Sequence, residues 1–203
     1  PPAARRAGRR DSNAVKLTFL GTGTSFGIPI IGCGCAVCHS TDPRDRRTRI
    51  GAVIETDGGT RLLIDTPPEL RLQLVSAGIG SVDAVFFTHD HADHIHGIDD
   101  IRAITVRQHH PLPMYAEPEV LQRLAVRFPY VFDATMRPLP GTSKPEGEGR
   151  VIRDGDVVQV GDACVEAIAL PHGRMRVLAF RVGALGFVTD AKSVPAEAVA
   201  RLR

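Results

Sequence analysis

Residues 89–94 concentrate groups that bind metal ions, with the sequence HDHADH. They follow residues 83–88, DAVFFT, whose apolar character predicts a buried strand that ends where the histidines begin. His89 and His91 are two residues apart, so in an extended segment both side chains leave the same face and can bind one cation. Asp93 and His94 lie where the chain turns toward a helix, and we expect them to bind a second cation nearby. A polar loop of surface histidines is the alternative interpretation.

Two further strand-like runs end in candidate ligands, His172 and Asp190. We expect His172 to complete the ligand set of the first metal with His89 and His91, and Asp190 to bridge both ions. A structural histidine and a helix-capping aspartate are the alternatives for these two residues. Asp65 ends a third run, and its predicted function is to orient a histidine rather than to bind metal. Imidazole and carboxylate ligands suit zinc, manganese and iron, so the sequence leaves the metal open.

A second candidate metal site is formed by Cys33, Cys35 and Cys38. In a reducing compartment, thiols at this spacing indicate a metal site rather than disulfides. Three thiolates need a fourth ligand to close a tetrahedral zinc site. His39 is the local candidate, whereas a distant residue would hold the loop more firmly; a glycine-rich turn without metal is the alternative. The fourth cysteine, Cys164, lies in a strand-like run and is predicted to pack in the core.

Alternating apolar runs and turn residues predict the elements that position these side chains. We expect strands at residues 15–20, 51–56, 61–65, 83–88, 157–160, 164–170, 177–182 and 185–189. A further strand is expected in the segment that ends at residue 116. Helices are expected at residues 67–78, 95–106, 118–128 and from 195, where the last helix is still running at the final residue. Residues 133–150 are rich in proline, glycine and charge, and they are predicted to form a loop that is a candidate lid. The order predicts an α/β (α+β) fold in which two sheets pack face to face with helices outside.

Length and composition favour one domain, at residues 14–203. The chain has 203 residues, 43% of them hydrophobic, and a net charge of +2. Residues 1–13 are predicted to be a disordered basic tail, with a nucleic-acid-binding arm as the alternative. No apolar run approaches the roughly 18 residues of a membrane span, and no signal-peptide core precedes the domain. The sequence therefore predicts a cytoplasmic protein without membrane contacts.

Four motifs together resemble the metallo-β-lactamase superfamily and, within it, the PhnP-type phosphodiesterase branch. They are LGTGTS at 20–25, GCGCAVC at 32–38, THDHADH at 88–94 and TD at 189–190. The resemblance runs from about residue 15 to residue 203 and implies an αββα sandwich with two catalytic zinc or manganese ions. By motif, the resemblance implies that His89, His91 and His172 bind one metal ion and that Asp93 and His94 bind the second. It implies that Asp190 bridges the two ions. It also implies a separate structural zinc on Cys33, Cys35 and Cys38.

The resemblance also implies a reaction. It is the hydrolysis of phosphodiester bonds, with a small cyclic ribosyl phosphate as the substrate and with no nucleic acid partner. In that mechanism a hydroxide that bridges the two ions attacks phosphorus, while Asp93 and Asp190 hold and orient it as catalytic residues. The branch further suggests a homodimer. The cationic residues that could meet the phosphate are Arg107, Arg137, Lys144 and Arg174, each with a solvated surface charge as the alternative.

The chain departs from the branch after Asp190. Members of the branch continue through further elements that supply a histidine to the second metal, another near the catalytic centre, and a late histidine beside the three cysteines. No histidine follows His172 in this sequence. We therefore expect a fragment that lacks the C-terminal part of the fold; a degenerate protein with a weakened second metal site is the alternative.

Other functions on the same scaffold stay open at this stage. One is an RNase Z-like nuclease for transfer-RNA 3′ ends, although residues 133–150 are too short and too mixed in charge for a long basic arm. Others are a thioester or lactam hydrolase, or a truncated, inactive metal-binding module. Iron-dependent oxidoreductases usually have glutamate in place of the second histidine, so His91 argues against that class.

Overall fold

The protein folds as two sheets packed face to face, in a computed structural model that describes residues 14–203. The first sheet has six strands in the order β1 to β6, antiparallel from β1 to β3 and parallel from β3 to β6. These strands are β1 Val15–Gly21, β2 Gly51–Thr56, β3 Arg61–Ile64, β4 Ala84–Phe86, β5 Leu112–Ala116 and β6 Gly147–Val151. The basic tail predicted at residues 1–13 lies outside the described residues.

The second sheet is antiparallel, in the order β10-β9-β8-β7. Its strands are β7 Val157–Val160, β8 Ala163–His172, β9 Met175–Val182 and β10 Leu185–Phe187. The helices are α1 Leu70–Ser76, α2 Ala92–Ile95, α3 Arg102–Gln108, α4 Pro118–Arg127, α5 Pro129–Phe132 and α6 Ala196–Leu202, and 3₁₀ turns occupy Pro43–Asp45 and Ile98–Ile101. Within residues 14–203, every helix is too short or too polar to cross a bilayer.

Alternation along the strands divides the core into layers. In β3, Leu62 and Ile64 point between the two sheets, whereas Leu63 packs under the helices on the outer face of the first sheet. Phe86 lies between the sheets, stacked on Tyr115 at 4.7 Å and edge-on to Phe180 at 5.2 Å. Burying each such side chain contributes about 1.5–3 kcal/mol. On the far side, α6 packs on the outer face of the second sheet, so the layers are α, β, β, α and the predicted fold is confirmed.

Three predictions of local structure are wrong. Residues 147–150 belong to β6 rather than to a loop, and this strand pairs in parallel with β5. The helix predicted at 95–106 is interrupted near Gly97, whose N–H donates to the carbonyl of Thr66 instead of to a residue one turn earlier. Cys164 is exposed, because its neighbours Ala163 and Val165 point inward and alternation turns its own side chain to solvent.

Candidate metal centre

The strand ends bring the predicted ligands together in two groups. The first group contains His89, His91, His172 and Asp190, and the second contains Asp93, His94 and Asp190. Within each group the candidate ligand atoms all lie within 4.8 Å of one another. Asp190 belongs to both groups, so the structure places it where a residue shared by two ions would lie. The assignment of these residues as metal ligands remains a prediction.

Short segments between elements aim these side chains. After β4 the chain bends at Thr88 and is extended at His91, which directly precedes α2, and this short helix carries Asp93 and His94. His172 is the last residue of β8, and Asp190 lies three residues after β10. The amide of Leu178 in β9 donates to the carbonyl oxygen of Thr88 at 2.9 Å, which ties the start of the histidine motif to the second sheet.

The histidines are close, and two of them are fully buried. The ring centroid of His89 lies 4.5 Å from that of His91, 4.2 Å from that of His94 and 5.3 Å from that of His172. Nε2 of His94 lies 3.0 Å from Oδ2 of Asp190 and 3.4 Å from Oδ2 of Asp93. His89 and His94 have no exposed surface.

Several buried nitrogens in this cluster lack a hydrogen-bond partner among the described residues: Nε2 of His89, Nε2 of His94 and Nδ1 of His172. Nε2 of His94 is close to Asp190 without being aligned for a hydrogen bond. Leaving a buried polar atom unsatisfied costs about 1–3 kcal/mol. Divalent metal ions would satisfy Nε2 of His89 and Nε2 of His94, which face the carboxylates of the group, so the donor set fits the metals that the sequence predicts.

The electrostatics of the cluster differ from residue to residue. Burial lowers the pKa of His89 to about 4, and the nearby His94 adds to the effect, so His89 is a neutral imidazole at pH 7. The close contact of His94, whose Nε2 lies 3.0 Å from Oδ2, lowers the pKa of Asp190 to about 2, which keeps its carboxylate ionised. Burial alone would lower the pKa of His94, but the carboxylates of Asp65 and Asp190 outweigh it and raise the pKa to about 10. Metal binding at His94 therefore displaces a proton.

Asp65 supports the cluster from behind. This buried carboxylate has a left-handed backbone with φ of 61°, and it accepts hydrogen bonds from the amide and the hydroxyl of Thr88, each at 2.8 Å. Its Oδ2 also lies 2.7 Å from Nδ1 of His94, so Nε2 of that ring faces the ligand group. This contact is the structural basis for the prediction that Asp65 orients a histidine, and that function remains a prediction.

An ion pair that the sequence did not indicate fixes the residue between His89 and His91. Asp90 is only 5% exposed, and Arg123 donates to both of its carboxylate oxygens, at 2.7 and 2.9 Å. Arg127 donates to the backbone carbonyl of Asp90 at 2.7 Å. The two arginines follow Asp90 by 33 and 37 residues in the sequence. Their spacing of four residues, which places them on one face of α4, is the sequence feature that could have indicated a shared partner.

The three clustered cysteines also come together. The Sγ atoms of Cys33, Cys35 and Cys38 lie within 4.8 Å of one another, and all three thiols are free. A hydrogen bond from the backbone of Cys38 lowers the pKa of the Cys35 thiol to about 7, which favours the thiolate that binds metal. In the part of the chain that the structure describes, this group stops at three residues and does not include His39.

Four of the predicted metal ligands line a cleft of about 540 Å³. The cleft is large enough for a small ligand. Its lining consists of Thr22, Gly23, Thr24, Ser25, Ile50, His91, Asp93, His172, Thr189 and Asp190. Arg107, Arg137 and Lys144 are not part of this lining, and Arg174 lines a neighbouring cleft.

Comparison with known proteins identifies the family. The model of the β-lactamase superfamily domain matches residues 60–203, most of the described chain. The chain belongs to the β-lactamase superfamily. Within it, the crystal structure of a diphosphatase from the PhnP family is similar over 93% of this chain and 70% of that one, with 34% identity and a TM-score of 0.82. The protein thus has the metallo-β-lactamase fold and belongs to the PhnP type within it, as the sequence motifs predict.

Other superfamily relatives are similar over part of their own length. The octanoyltransferase of Porphyromonas gingivalis is 42% identical over 93% of this chain and 37% of that protein. Ribonuclease Z of Myxococcus xanthus is 28% identical over 85% of the chain and 47% of that protein. The chain therefore spans less than half the length of these two curated relatives. Zinc-bound PqqB from Methylobacterium extorquens, at 18% identity and a TM-score of 0.72, shares the fold.

Proposed function

We propose that this hydrolase cleaves phosphodiester bonds in a small molecule, such as a cyclic ribosyl phosphate, with two divalent metal ions. The observation that carries the proposal is the pair of ligand groups that share Asp190 at the mouth of one cleft. The similar diphosphatase of the PhnP family supports a phosphorus-containing substrate. The proposed substrate is a small molecule, and the proposal includes neither a membrane nor a nucleic acid as a partner.

In the proposed centre, His89, His91 and His172 would hold one ion, and Asp93 and His94 would hold the other. Asp190 belongs to both groups of ligands and could serve either ion. Bound zinc or manganese would supply Lewis-acid activation of water and would offset the negative charge that develops on the phosphate. Cys33, Cys35 and Cys38 hold a separate structural zinc in this proposal.

The chain's own residues then position the reactants. Asp190, which belongs to both ligand groups, and Asp93 accept hydrogen bonds from the attacking water and orient it toward phosphorus. Attack in line forms the new P–O bond and breaks the opposite one, and the leaving alkoxide takes up the proton that the attacking water gives up. The glycine-containing segment 22–25 lines the other side of the cleft and confines the phosphate between itself and the metal ligands.

Turnover of bis-p-nitrophenyl phosphate by protein loaded with Zn²⁺ or Mn²⁺ tests this function, with metal content measured on the same sample. We expect turnover in the parent protein and its loss in His172→Ala. The matched control is His110→Ala, because His110 is exposed and bonds only to the carbonyl of Pro111 within the described structure. A protein that binds two ions at this centre but hydrolyses neither this diester nor a cyclic ribosyl phosphate would contradict the proposal.

A nuclease is the second candidate, because Ribonuclease Z of Myxococcus xanthus is similar over 85% of the chain. A transfer-RNA precursor with a 3′ extension, assayed beside the small diester, separates the two functions. Faster cleavage of the RNA than of every small diester would favour the nuclease.

A further inference from the structure

The cleft at the metal centre is lined in part by the loop segment 22–25, which directly follows β1. Four of the predicted metal ligands line the same cleft. The side chains of Thr22, Thr24 and Ser25 are exposed. A phosphate held between this segment and the metal ligands would therefore contact hydroxyl groups whose place depends on where the segment lies.

The backbone of the segment runs alongside residues 47–49, which lead into β2. The amide of Gly23 donates to the carbonyl of Thr48 at 2.7 Å. A Cβ atom on Gly23 would lie 2.5 Å from the carbonyl oxygen of Arg47, so only glycine permits this approach. Further along, Ile28 and Arg47 exchange backbone hydrogen bonds of 2.8 and 2.9 Å. These contacts hold the two flanks of the segment, and Ser25 lies between them.

The side chain of Arg49 holds the middle of the segment. Its Nε donates to the carbonyl oxygen of Ser25 at 2.8 Å, and its Nη1 donates to Oε1 of Glu69. A planar guanidinium that is bound by a carboxylate at one edge has a fixed orientation, so its remaining N–H groups point in defined directions. Arg49 is not part of the cleft lining, so it acts on the cleft through Ser25.

The partners of Arg49 belong to α1 and its N-terminal cap. Glu69 directly precedes the helix, and Gln73 lies one turn later. The buried amide of Gln73 donates to Oγ1 of Thr48 at 2.9 Å and to the carbonyl of Arg49 at 2.8 Å. Glu69 also follows Asp65, the carboxylate behind the second ligand group, by only four residues. The start of α1 thus connects the segment 22–25 to the support of the metal centre.

We propose that Arg49 is a positioning residue of the hydrolase. Together with Glu69 it holds the carbonyl of Ser25, and so it sets the distance between the segment 22–25 and the metal ligands. The inference rests on the proposed function, since it concerns substrate binding at that same centre. The segment contacts the phosphate before and during the reaction alike, so its displacement raises KM and leaves kcat nearly unchanged.

Two substitutions that change the charge in opposite directions separate positioning from simple attraction of an anion. Arg49→Met and Glu69→Met both release the carbonyl of Ser25. With metal-loaded protein and bis-p-nitrophenyl phosphate, we expect KM to rise about tenfold in each variant, as the loss of one charge-assisted hydrogen bond predicts. We expect kcat to stay within about twofold of the parent value. Attraction alone would instead lower KM in Glu69→Met, because that variant gains positive charge.

The ion pair between Arg61 and Glu55 is the matched control. It joins β3 to β2 at 3.0 Å, and its side chains are 35% and 26% exposed, against 29% and 22% for Arg49 and Glu69. Neither control residue lines the cleft. Arg61→Met and Glu55→Met should therefore retain the KM of the parent, which separates the positioning of Ser25 from the general loss of a half-buried ion pair.

Amide hydrogen exchange of the metal-free protein gives a readout that needs no turnover. The amides of Gly23, Gly27 and Ile28 donate to backbone carbonyls in or beside the segment. We expect the peptide that spans residues 22–28 to exchange faster in Arg49→Met and Glu69→Met than in Arg61→Met, because release of Ser25 increases local opening. Equal exchange in the three variants would overturn the proposal.

The outcomes also separate this inference from the proposed function. A KM like that of the parent in Arg49→Met, or a lower KM in Glu69→Met, would overturn the positioning function and leave the phosphodiesterase in place. If the parent hydrolyses no diester, the proposed function fails, and calorimetry with inorganic phosphate on metal-loaded protein decides the inference. Binding about tenfold weaker in Arg49→Met and Glu69→Met than in Arg61→Met would support it, and equal binding would contradict it.

Discussion

At the scale of single residues, the second group of ligands depends on a carboxylate that is not itself in the group. Asp65 accepts hydrogen bonds from Thr88 and contacts Nδ1 of His94, all within 2.8 Å. A carboxylate behind a metal-binding imidazole fixes the ring and raises the basicity of the nitrogen that faces the metal. Asp65 is therefore expected to control the affinity of the second ion more than that of the first.

Replacing Asp65 by asparagine tests this expectation. We predict that Asp65→Asn lowers the affinity for the second divalent ion by about 10–100-fold, because a neutral amide supports the His94 ring less well. Competition with a chromophoric chelator measures the affinity. Asp57→Asn, in the exposed turn between β2 and β3, is the matched control and should bind both ions as the parent does. Equal affinities in the two variants would contradict the assignment of Asp65.

Residue types and spacing were sufficient to predict which side chains would meet at the centre. The motif at 89–94 and the strand ends at His172 and Asp190 are local signals, and the structure brings these residues together. The ion pair between Asp90 and Arg123 was not predictable in this way, because it joins residues 33 positions apart through the packing of α4. The prediction that Cys164 packs in the core was wrong for a different reason. A hydrophobic run does not reveal which face of a strand points inward.

At the scale of elements, the segment after β3 and the end of α2 are joined by their backbones. The amide of Thr66 donates to the carbonyl of His94 at 2.7 Å, and the amide of Gly97 donates to the carbonyl of Thr66 at 2.8 Å. A Cβ atom at position 97 would lie 2.0 Å from the carbonyl oxygen of Pro67, so only glycine permits this approach. The junction sets the distance between Asp65 and His94.

We predict that Gly97→Ala separates these two segments. The clash is with backbone, which cannot give way as a flexible side chain would, so the free energy of unfolding should fall by about 1–3 kcal/mol. Denaturant titration measures the loss. Gly80→Ala is the matched control: Gly80 is exposed, and the nearest atom to an added Cβ is Nη1 of Arg107 at 3.9 Å. Equal stability of the two variants would refute the close approach.

Most elements were predictable from periodicity, and the exceptions have physical reasons. The pattern at 95–106 is helical throughout, yet Gly97 diverts its N–H to Thr66 and the helix breaks there. Residues 147–151 contain two glycines and two charges, which mask a strand, and pairing with β5 determines their structure. Tertiary contacts override local propensity at both places.

At the scale of the whole molecule, the metal centre draws on both sheets. Five of its residues, His89, His91, Asp93, His94 and the supporting Asp65, follow strands of the first sheet, whereas His172 and Asp190 follow strands of the second. The order of the expected elements predicted two sheets packed face to face with helices outside, and the resemblance to the metallo-β-lactamase superfamily implied the αββα sandwich. How the strand ends of one sheet align with those of the other depends on packing around Phe86 and Phe180, which no local pattern specifies.

Because ions at this centre would join the two sheets, we predict that they stabilise the whole fold. At a free metal concentration of 100 times Kd, binding to the native state adds about 2.7 kcal/mol to the free energy of unfolding. For a chain of this size, that corresponds to a rise in Tm of about 5–11 °C. Differential scanning calorimetry with Mn²⁺ and with EDTA measures it. His172→Ala, which keeps the cysteine group but loses a ligand from the second sheet, should show a smaller rise; an equal rise would place the stabilising ion elsewhere.

One of the two edge strands of the first sheet, β6, affects how the molecule behaves at high concentration. An unpaired strand edge offers free N–H and C=O groups on which another chain can add. In β6 the residues Glu148 and Arg150 form an ion pair on an exposed surface, and Gly147 and Gly149 lower its tendency to extend as a flat strand. Adding a strand here would require desolvating those charges. The composition that concealed this strand in the sequence is thus also one that disfavours edge-to-edge association at β6.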